Sequence, residues 1–201
     1  MYLIGASGHA KVIMDCLLDA GVKIKGLFDQ NPKVTSLKGY AVNGDYLTSN
    51  TEEPLIISIG ANTIRAKIAE RLAGKQFGTA VHPSALLSID ASIGEGTVVM
   101  HGAVIQSSAQ IGKHAIINTT AVVEHDCKVG DYAHVGPKAV LCGHASVGEG
   151  TLIGVGAVVI PSIKIGKWCV IGAGSVVFRD VPDYAVVVGN PARLIKYTNE
   201  S

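Results

Sequence analysis

The sequence predicts a two-part fold: a small parallel, Rossmann-like α/β unit over residues 1–80, then a parallel β-helix of hexapeptide repeats over 81–181, with a cap or tail at 182–201. Three observations predict it. Aliphatic residues recur every sixth position for a hundred residues, a strict period that marks a solenoid. Before that run, short buried apolar segments alternate with amphipathic ones, the rhythm of a βαβ unit. Glycine is abundant at 24 residues while aromatic content is only 5%, which fits a repetitive backbone better than an ordinary mixed core.

In order along the chain, "YLIG" reads as a short buried strand. "HAKVIMDCLLDAG" reads as an amphipathic helix with Val12, Ile13, Cys16, Leu17 and Ala20 on one face and Gly21 at its end. "KIKGLFD" is a second strand, and a polar loop through "NPKVTSLKGYAVNGDYLTSNTEEP" leads to a third buried strand, "LIISIG". Asn62 is placed to cap a second helix, "TIRAKIAERLAG", with Ile64, Ile68 and Leu72 inward and Arg65, Lys67, Glu70 and Arg71 outward.

From Val81 the count in sixes meets only Val, Ile or Leu through Val177, seventeen positions in all. A second series four residues later, Ala85 to Val181, is nearly all small. Three hexads close a triangular coil of eighteen residues, so seventeen make between five and six coils. Both series point inward, stacking about 4.8 Å from their counterparts in the next coil. Glycine often follows the aliphatic position, as in "IGEGTV" and "VGDYAH", which suits turns that need permissive dihedrals. No long loop interrupts 81–181, and the tail "PDYAVVVGNPARLIKYTNES" leaves the period to cover the last coil.

A net charge of +1 with no Lys/Arg run argues against a nucleic-acid partner. The N-terminus has no basic n-region or long apolar h-region, and no segment approaches about eighteen apolar residues, so a soluble cytoplasmic protein is expected. Cys16, Cys127, Cys142 and Cys169 form no CxxC pair and read as reduced structural thiols.

Two stretches carry chemistry. "IGASGHAK" places Gly5, Ser7 and Gly8 between a strand and a helix, where free backbone N–H groups attract phosphate. His9 opens the helix, Asp29 ends the second strand, and "IGAN" around Asn62 is the matching turn. The stretch lacks the full GxGxxG pattern, and a tight turn without a ligand remains the alternative. In "NTTAVVEHDCKVGDYAHVG", His125 holds an outward corner position beside Asp126, preceded by Glu124. Asp126 and His144 are eighteen residues apart and should stack on one edge. A carboxylate that fixes an imidazole's tautomer and raises its basicity suits general-base work; the spacing alone leaves a solvated surface pair equally open. His101 and His114 stand alone and read as structural. The gaps between histidines from His101 onward, thirteen, eleven, nine and ten, include no close pair, so no metal site is expected.

With both halves read, the chain resembles the hexapeptide-repeat acetyltransferases that modify bacterial sugars, the group of nucleotide-aminosugar N-acetyltransferases and sialic acid O-acetyltransferases. "IGASGHAKV", "LFD", "SIGAN", "VHPSA", "NTTAVVEHDC" and "VVVGNPARLIK" carry the resemblance over nearly the whole length. It implies a left-handed β-helix and a homotrimer with active sites at subunit interfaces. It also implies acetyl-CoA as co-substrate without a metal, and a nucleotide-sugar held by the N-terminal unit. By that pattern His125 is the general base, Asp126 its orienting carboxylate, and His134 a contact to the acetyl thioester. Gly5, Ser7, Gly8, His9, Asp29 and Asn62 match the sugar-nucleotide pocket. Gly143, Ala157 and Gly172 to Gly174 would offer backbone contacts to CoA, and Arg193 or Lys196 would meet phosphates. Some relatives carry Glu where Asp126 stands, which changes reach and not charge. The implied reaction is N-acetylation of the 4-amino group of a UDP-linked amino-deoxysugar in glycan biosynthesis. The alternatives are O-acetylation of sialic acid or another sugar hydroxyl, a GDP-linked aminosugar acceptor, or a non-catalytic nucleotide-sugar-binding scaffold.

Overall fold

The computed structural model describes residues 1–48 and 51–198. Strands β1 (Tyr2–Ile4), β2 (Gly26–Phe28), β3 (Ser36–Leu37), β4 (Tyr40–Asn43) and β5 (Leu55–Ile57) form one sheet in the order β3-β4-β2-β1-β5. The three expected strands make its parallel centre, with β1 between β2 and β5. The expected polar loop departs from its reading, because it holds the β3–β4 hairpin. Leu37 pairs with Tyr40, which leaves Lys38 and Gly39 as a two-residue turn with φ of 49° and 81°. Positive φ at both turn residues matches the right-handed twist of paired strands, so this sequence folds back on itself and β4 extends the sheet beside β2. Ser49 and Asn50 of that stretch, like residues 199–201 of the tail, lie outside the described residues.

Helix α1 (Gly8–Asp19) buries Ala10, Ile13, Met14, Cys16 and Leu17. Met14 joins the face that was expected, whereas Val12 is half-buried and Ala20 is exposed, since the helix stops at Asp19 and Ala20 is already its C-cap. Helix α2 (Asn62–Arg71) corrects the sequence reading more sharply. Ala61 is its N-cap, Ile64 is 49% exposed, and Arg65 is fully buried. The helix lies between its own sheet and the turns of the solenoid, so the face bearing Arg65 meets backbone carbonyls that need a donor, and a long guanidinium reaches them where an isoleucine would leave them unpaired.

The repeats form seventeen two-residue strands, from β6 (Ala80–Val81) to β22 (Val176–Val177), one every six residues. They sort into three parallel sheets, the walls of a triangular prism. Successive coils pair in a register of eighteen, as in Val104 with Val122 and Val122 with Val140. From Val99 to Val177 every aliphatic position is at most 4% exposed. The first coil is the exception, with Leu87 38% exposed, because no coil lies above it on that wall.

The turns and the lower end of the prism also depart from the sequence expectation. The glycines after the aliphatic positions do not have positive φ; the left-handed residue is two places later, at Ser108, His114, Asp126, Tyr132 or His144, whatever its type. Those earlier glycines answer close approach instead. A Cβ on Gly130 would lie 2.7 Å from the Glu149 backbone nitrogen, and one on Gly148 2.5 Å from the Gly166 carbonyl carbon. At the lower end the pairing shifts from eighteen to sixteen, with Val181 beside Ile165 and Val187 beside Ile171. Val181 therefore takes an aliphatic place rather than the expected small one. The period resumes two residues early through Ala185 and Val187, instead of being lost. Strand β23 (Ala185–Val188) adds to the wall, and antiparallel β24 (Arg193–Tyr197) closes the end.

The three walls face different surroundings. One presents Ala80, Val98 and Ile116 outward, all buried under the α1 side of the N-terminal unit. A second presents Ser92, Gln110, Lys128, Ser146 and Lys164, all polar residues suited to water. The remaining wall presents Leu86, Val104, Val122, Val140, Val158 and Val176, an aliphatic stripe with Leu86 66% exposed. No helix in the described residues is long and apolar enough to cross a membrane.

Candidate active site

The corner between the aliphatic and polar walls holds His125 and Asp126 on one coil and Gly143 and His144 on the next. Ladder bonds fix the stack: Asp126 N donates to Ser107 O and His144 N to His125 O, each at 3.0 Å. Asp126 and His144 both take the left-handed corner conformation, φ 60°. This aligns their side chains one above the other, as the spacing of eighteen requires. The His125 Nδ1 lies 2.8 Å from Asp126 Oδ2, and His144 Nε2 lies 3.7 Å from the same oxygen. The hydrogen bond from His125, then the charges of His144 and His125, hold the Asp126 carboxyl below the usual carboxylate range. An ionised carboxylate only accepts, so in the neutral form of His125 the proton sits on Nδ1 and the lone pair on Nε2.

Gly143 is what lets the ring lie where it does. A Cβ at that residue would be 2.6 Å from His125 Nε2, so the imidazole rests over bare backbone. Among the described residues the Gly143 amide makes no hydrogen bond, which leaves an N–H donor beside the basic nitrogen. His125 and Asp126 are 54% and 43% exposed in the single chain.

The second group of candidates sits on the N-terminal unit. Gly5 has φ 103°, and a Cβ there would strike Ile59 at 2.7 Å, so only glycine fits. Asp29 ties the turn together, accepting from Ala6 N at 2.8 Å through Oδ2 and from Asn31 N at 2.9 Å through Oδ1. Ser7 and Gly8 are exposed at the start of α1, and nothing lies within 4 Å of where a Cβ of Gly8 would be. This is an open helix N-terminus with a clamped base, the geometry that accepts an anionic group. Asn62 is committed elsewhere: its Nδ2 donates to Gly150 O at 3.0 Å and its Oδ1 accepts from Arg65.

His9 and His134 meet on the wall covered by the N-terminal unit, ring centroids 6.3 Å apart. Burial first, and the Arg65 charge second, push His9 down to about 4; burial, Arg65 and then His9 push His134 down to about 3. Both are neutral at pH 7. The His9 Nε2 is buried with no hydrogen-bond partner among the described residues, while His134 Nε2 lies 2.9 Å from Asn118 Nδ2. In one chain, then, His134 keeps company with His9 on one side of the prism and not with His125 at the opposite corner.

Arg65, read outward from the sequence, is the centre of this side. Its Nε donates to His114 O (2.7 Å), one terminal nitrogen to Ile59 O and Gly60 O (2.9 and 3.1 Å), and the other to Asn62 Oδ1 and Tyr132 O (2.9 and 2.7 Å). Every N–H is used, and among the described residues no carboxylate pairs with it. Only a "helical residue on a docking face" signal could have flagged it, and the apolar periodicity pointed elsewhere.

The remaining candidates divide by how the backbone uses them. Ala157 faces the core, its amide donating to Gly154 O and its carbonyl accepting from Val140 N, so it has little left to offer a ligand. The Gly172 amide is likewise spent on Val187 O, and a Cβ at that residue would lie 2.7 Å from Val188 Cγ1. The Gly174 amide bonds Val155 O, yet open space lies beside its Cα. Arg193 is exposed on β24 with its guanidinium 5.3 Å from the Phe178 ring, and Lys196 is exposed three residues on. His101 stacks on His82 at 3.7 Å and approaches Cys16 Sγ at 3.8 Å; His114 is buried against Phe77 and Tyr132. Burial pushes the Cys16 thiol up to about 12 and Cys127 up to about 11, the wrong direction for a nucleophile. A cavity of about 990 Å³ lies beside α2, lined in part by Phe77, Tyr132 and Trp168 and by none of the candidate residues.

Known proteins match both parts of the chain. The PglD N-terminal domain matches residues 1–72, and the bacterial transferase hexapeptide family (six repeats) matches residues 108–143 and 144–179. A His-to-Asn variant of perosamine N-acetyltransferase from Caulobacter crescentus, in complex with CoA and GDP-perosamine, is 39% identical with a TM-score of 0.93, covering 97% of this chain and 96% of that one. The acetyltransferase domain of PglB from Neisseria gonorrhoeae FA1090, in complex with acetyl coenzyme A, is 34% identical with a TM-score of 0.90, covering 96% and 98%. WeeI from Acinetobacter baumannii AYE is 28% identical with a TM-score of 0.78, covering 96% and 98%. Among curated proteins, the uncharacterized protein L142 of Acanthamoeba polyphaga mimivirus is 35% identical over 98 residues, and the matched stretch spans 48% of this chain and about a fifth, 20%, of that protein's length. With both parts matched and 39% identity sustained end to end, the chain belongs to the hexapeptide-repeat bacterial sugar acetyltransferases that carry a PglD-type N-terminal domain.

Proposed function

We propose that this protein transfers acetyl from acetyl-CoA to the amine of a nucleotide-linked amino-deoxysugar, with His125 as general base. The observation that carries the reading is the His125–Asp126 hydrogen bond at 2.8 Å with Nε2 free above Gly143. An ammonium is no nucleophile, so the amine must be a free base when it attacks the thioester carbonyl. His125 Nε2 takes the proton released as the new C–N bond forms, and Asp126 steadies the resulting imidazolium through Nδ1–H. The Gly143 N–H is free to donate to the carbonyl oxygen as negative charge develops there. The same imidazolium then returns its proton to the departing thiolate. Acetyl-CoA supplies the activated acetyl group, and no acyl-enzyme is needed, consistent with thiols that burial makes unreactive.

The nucleotide sits, in this reading, on the open turn Gly5–Gly8 clamped by Asp29, and neutral His9 and His134 line the sugar side. Our first acceptor is the 4-amino group of a UDP-linked sugar. A GDP-linked sugar is the second reading, favoured by the 39% identity with the Caulobacter perosamine enzyme in complex with GDP-perosamine. Because the His9/His134 and His125/Asp126 groups lie on opposite sides of one prism, a complete site needs two copies of the chain. The uncovered aliphatic stripe from Leu86 to Val176 supports a homotrimer, since burying such a stripe is worth about 25 cal/mol per Å² of apolar surface. Gly143 and the open side of Gly174 remain accessible to CoA, with Arg193 near enough to the chain end to meet a phosphate.

His125→Ala tests the reading. We expect turnover of UDP- and GDP-aminosugars, followed by thiol release, to fall by about 10² or more while nucleotide binding and the mass of the assembly stay unchanged. Retained turnover would remove His125 from the mechanism. Turnover of hydroxyl acceptors alone would replace the amine as the nucleophile.

A further inference from the structure

We infer that His144 is a positioning residue for the transfer, which shares Asp126 with His125 and thereby sets the pH at which His125 can act as a base. The inference rests on His125 being that base. Two imidazoles converge on a single carboxylate oxygen, at 2.8 Å from His125 Nδ1 and 3.7 Å from His144 Nε2, with the rings edge to face at 5.3 Å. The stack is rigid because His144 N is bonded to His125 O and both corner residues are held in the left-handed conformation. The coil register therefore fixes the three backbone positions from which these side chains reach the shared oxygen.

One carboxylate balances one positive charge. When His144 is protonated it draws on Asp126, and its charge stands 5.3 Å from the His125 ring, so a second proton on His125 is disfavoured. His125 then stays unprotonated, and competent, to lower pH than it would with Asp126 to itself. Other groups around the pair do not replace this effect. Glu124 and Lys128 flank it on the same coil with opposite charges, and Cys142 on the next coil has its thiol raised by burial. The corner residues directly above and below, Ser108 and Ser162, are uncharged; Asp90 beyond them is engaged with Ser108 at 2.8 Å, and Arg179 and Asp180 on the last coil carry opposite charges.

The test is the pH dependence of kcat/KM for the intact protein, the single variants His144→Asn and His144→Lys, and the control His125→Ala, with NMR titration of the His125 ring alongside. In His144→Asn the acid limb and the His125 titration should both move up by about half to one pH unit, whereas His144→Lys, a permanent cation, should leave them at or below the parent position. A merely structural role would lower kcat without moving either. An unmoved or lowered His125 titration in His144→Asn overturns the inference. If His125→Ala retains turnover, the base assignment fails separately, and the ring titration still reports whether the two imidazoles are coupled.

Discussion

The prism and the N-terminal unit obey different rules for placing a side chain. In the prism, position follows from arithmetic: residues eighteen apart stack, so Asp126 and His144 meet at 3.7 Å although nothing between them in sequence hints at contact. In the N-terminal unit, position follows from docking, and the same helical periodicity that buries Ile68 misplaces Arg65, which lies fully buried against the prism. Backbone hydrogen bonding explains the contrast. Each coil's ladder is satisfied by the next coil, which leaves no freedom of register, whereas a helix can rotate until its faces suit whatever surface it meets.

The sharpest way to break this contrast is Arg65→Leu. It removes the donor from four backbone carbonyls and Asn62 at once, and we expect a loss of about 3 kcal/mol or more, read as a lower urea midpoint, with the repeats still giving a β-rich circular dichroism spectrum. Loss of the β signal at the same midpoint would show that the two parts are one cooperative unit.

Acid should weaken the same contact by another route. His9 and His114 are pushed down to about 4 and His134 to about 3, against 6.5 when unfolded, so the unfolded chain binds more protons between those values. Stability from keeping these rings neutral is complete above about pH 6.5 and is lost as pH falls toward 4. Thermal melts at pH 7.5, 5.5 and 4.5 should therefore give a steadily falling Tm. A Tm level across that range would contradict the burial of these three rings.

The smallest effect sharpens the comparison inside the prism. Gly148→Ala drives a methyl to within 2.5 Å of the next coil's backbone and should cost about 1–3 kcal/mol. Gly174→Ala, at φ 66° with open space around it, should cost only about 1 kcal/mol of backbone strain. Equal losses in chemical denaturation would mean that coil spacing yields more readily than the ladder implies.

Most of the prism was legible before any coordinates. The inward aliphatic series and the outward corner at His125 need only the period. What escaped were its irregularities: the two-residue shift before Val181, where a shortened corner still satisfies the ladder, and glycines kept for coil-to-coil approach rather than for dihedral freedom. The N-terminal strands β1, β2 and β5 were equally plain, being buried apolar runs, but the β3–β4 hairpin hid in a polar stretch because its signal is only Lys38-Gly39. Of the candidate residues, the sequence reading grouped His134 with His125, and the single chain sets them on opposite sides.

The sequence alone determined the six-residue period, the stacking of Asp126 on His144, and the glycine-rich turn between β1 and α1, since each depends on local spacing and on bonds the backbone must make. Only the tertiary structure decided that Arg65 is buried without a carboxylate, that His9 and His134 are neutral neighbours, and that an aliphatic wall is left uncovered. Those depend on which surfaces meet, and a one-dimensional pattern of polar and apolar residues does not encode the partner a face will find.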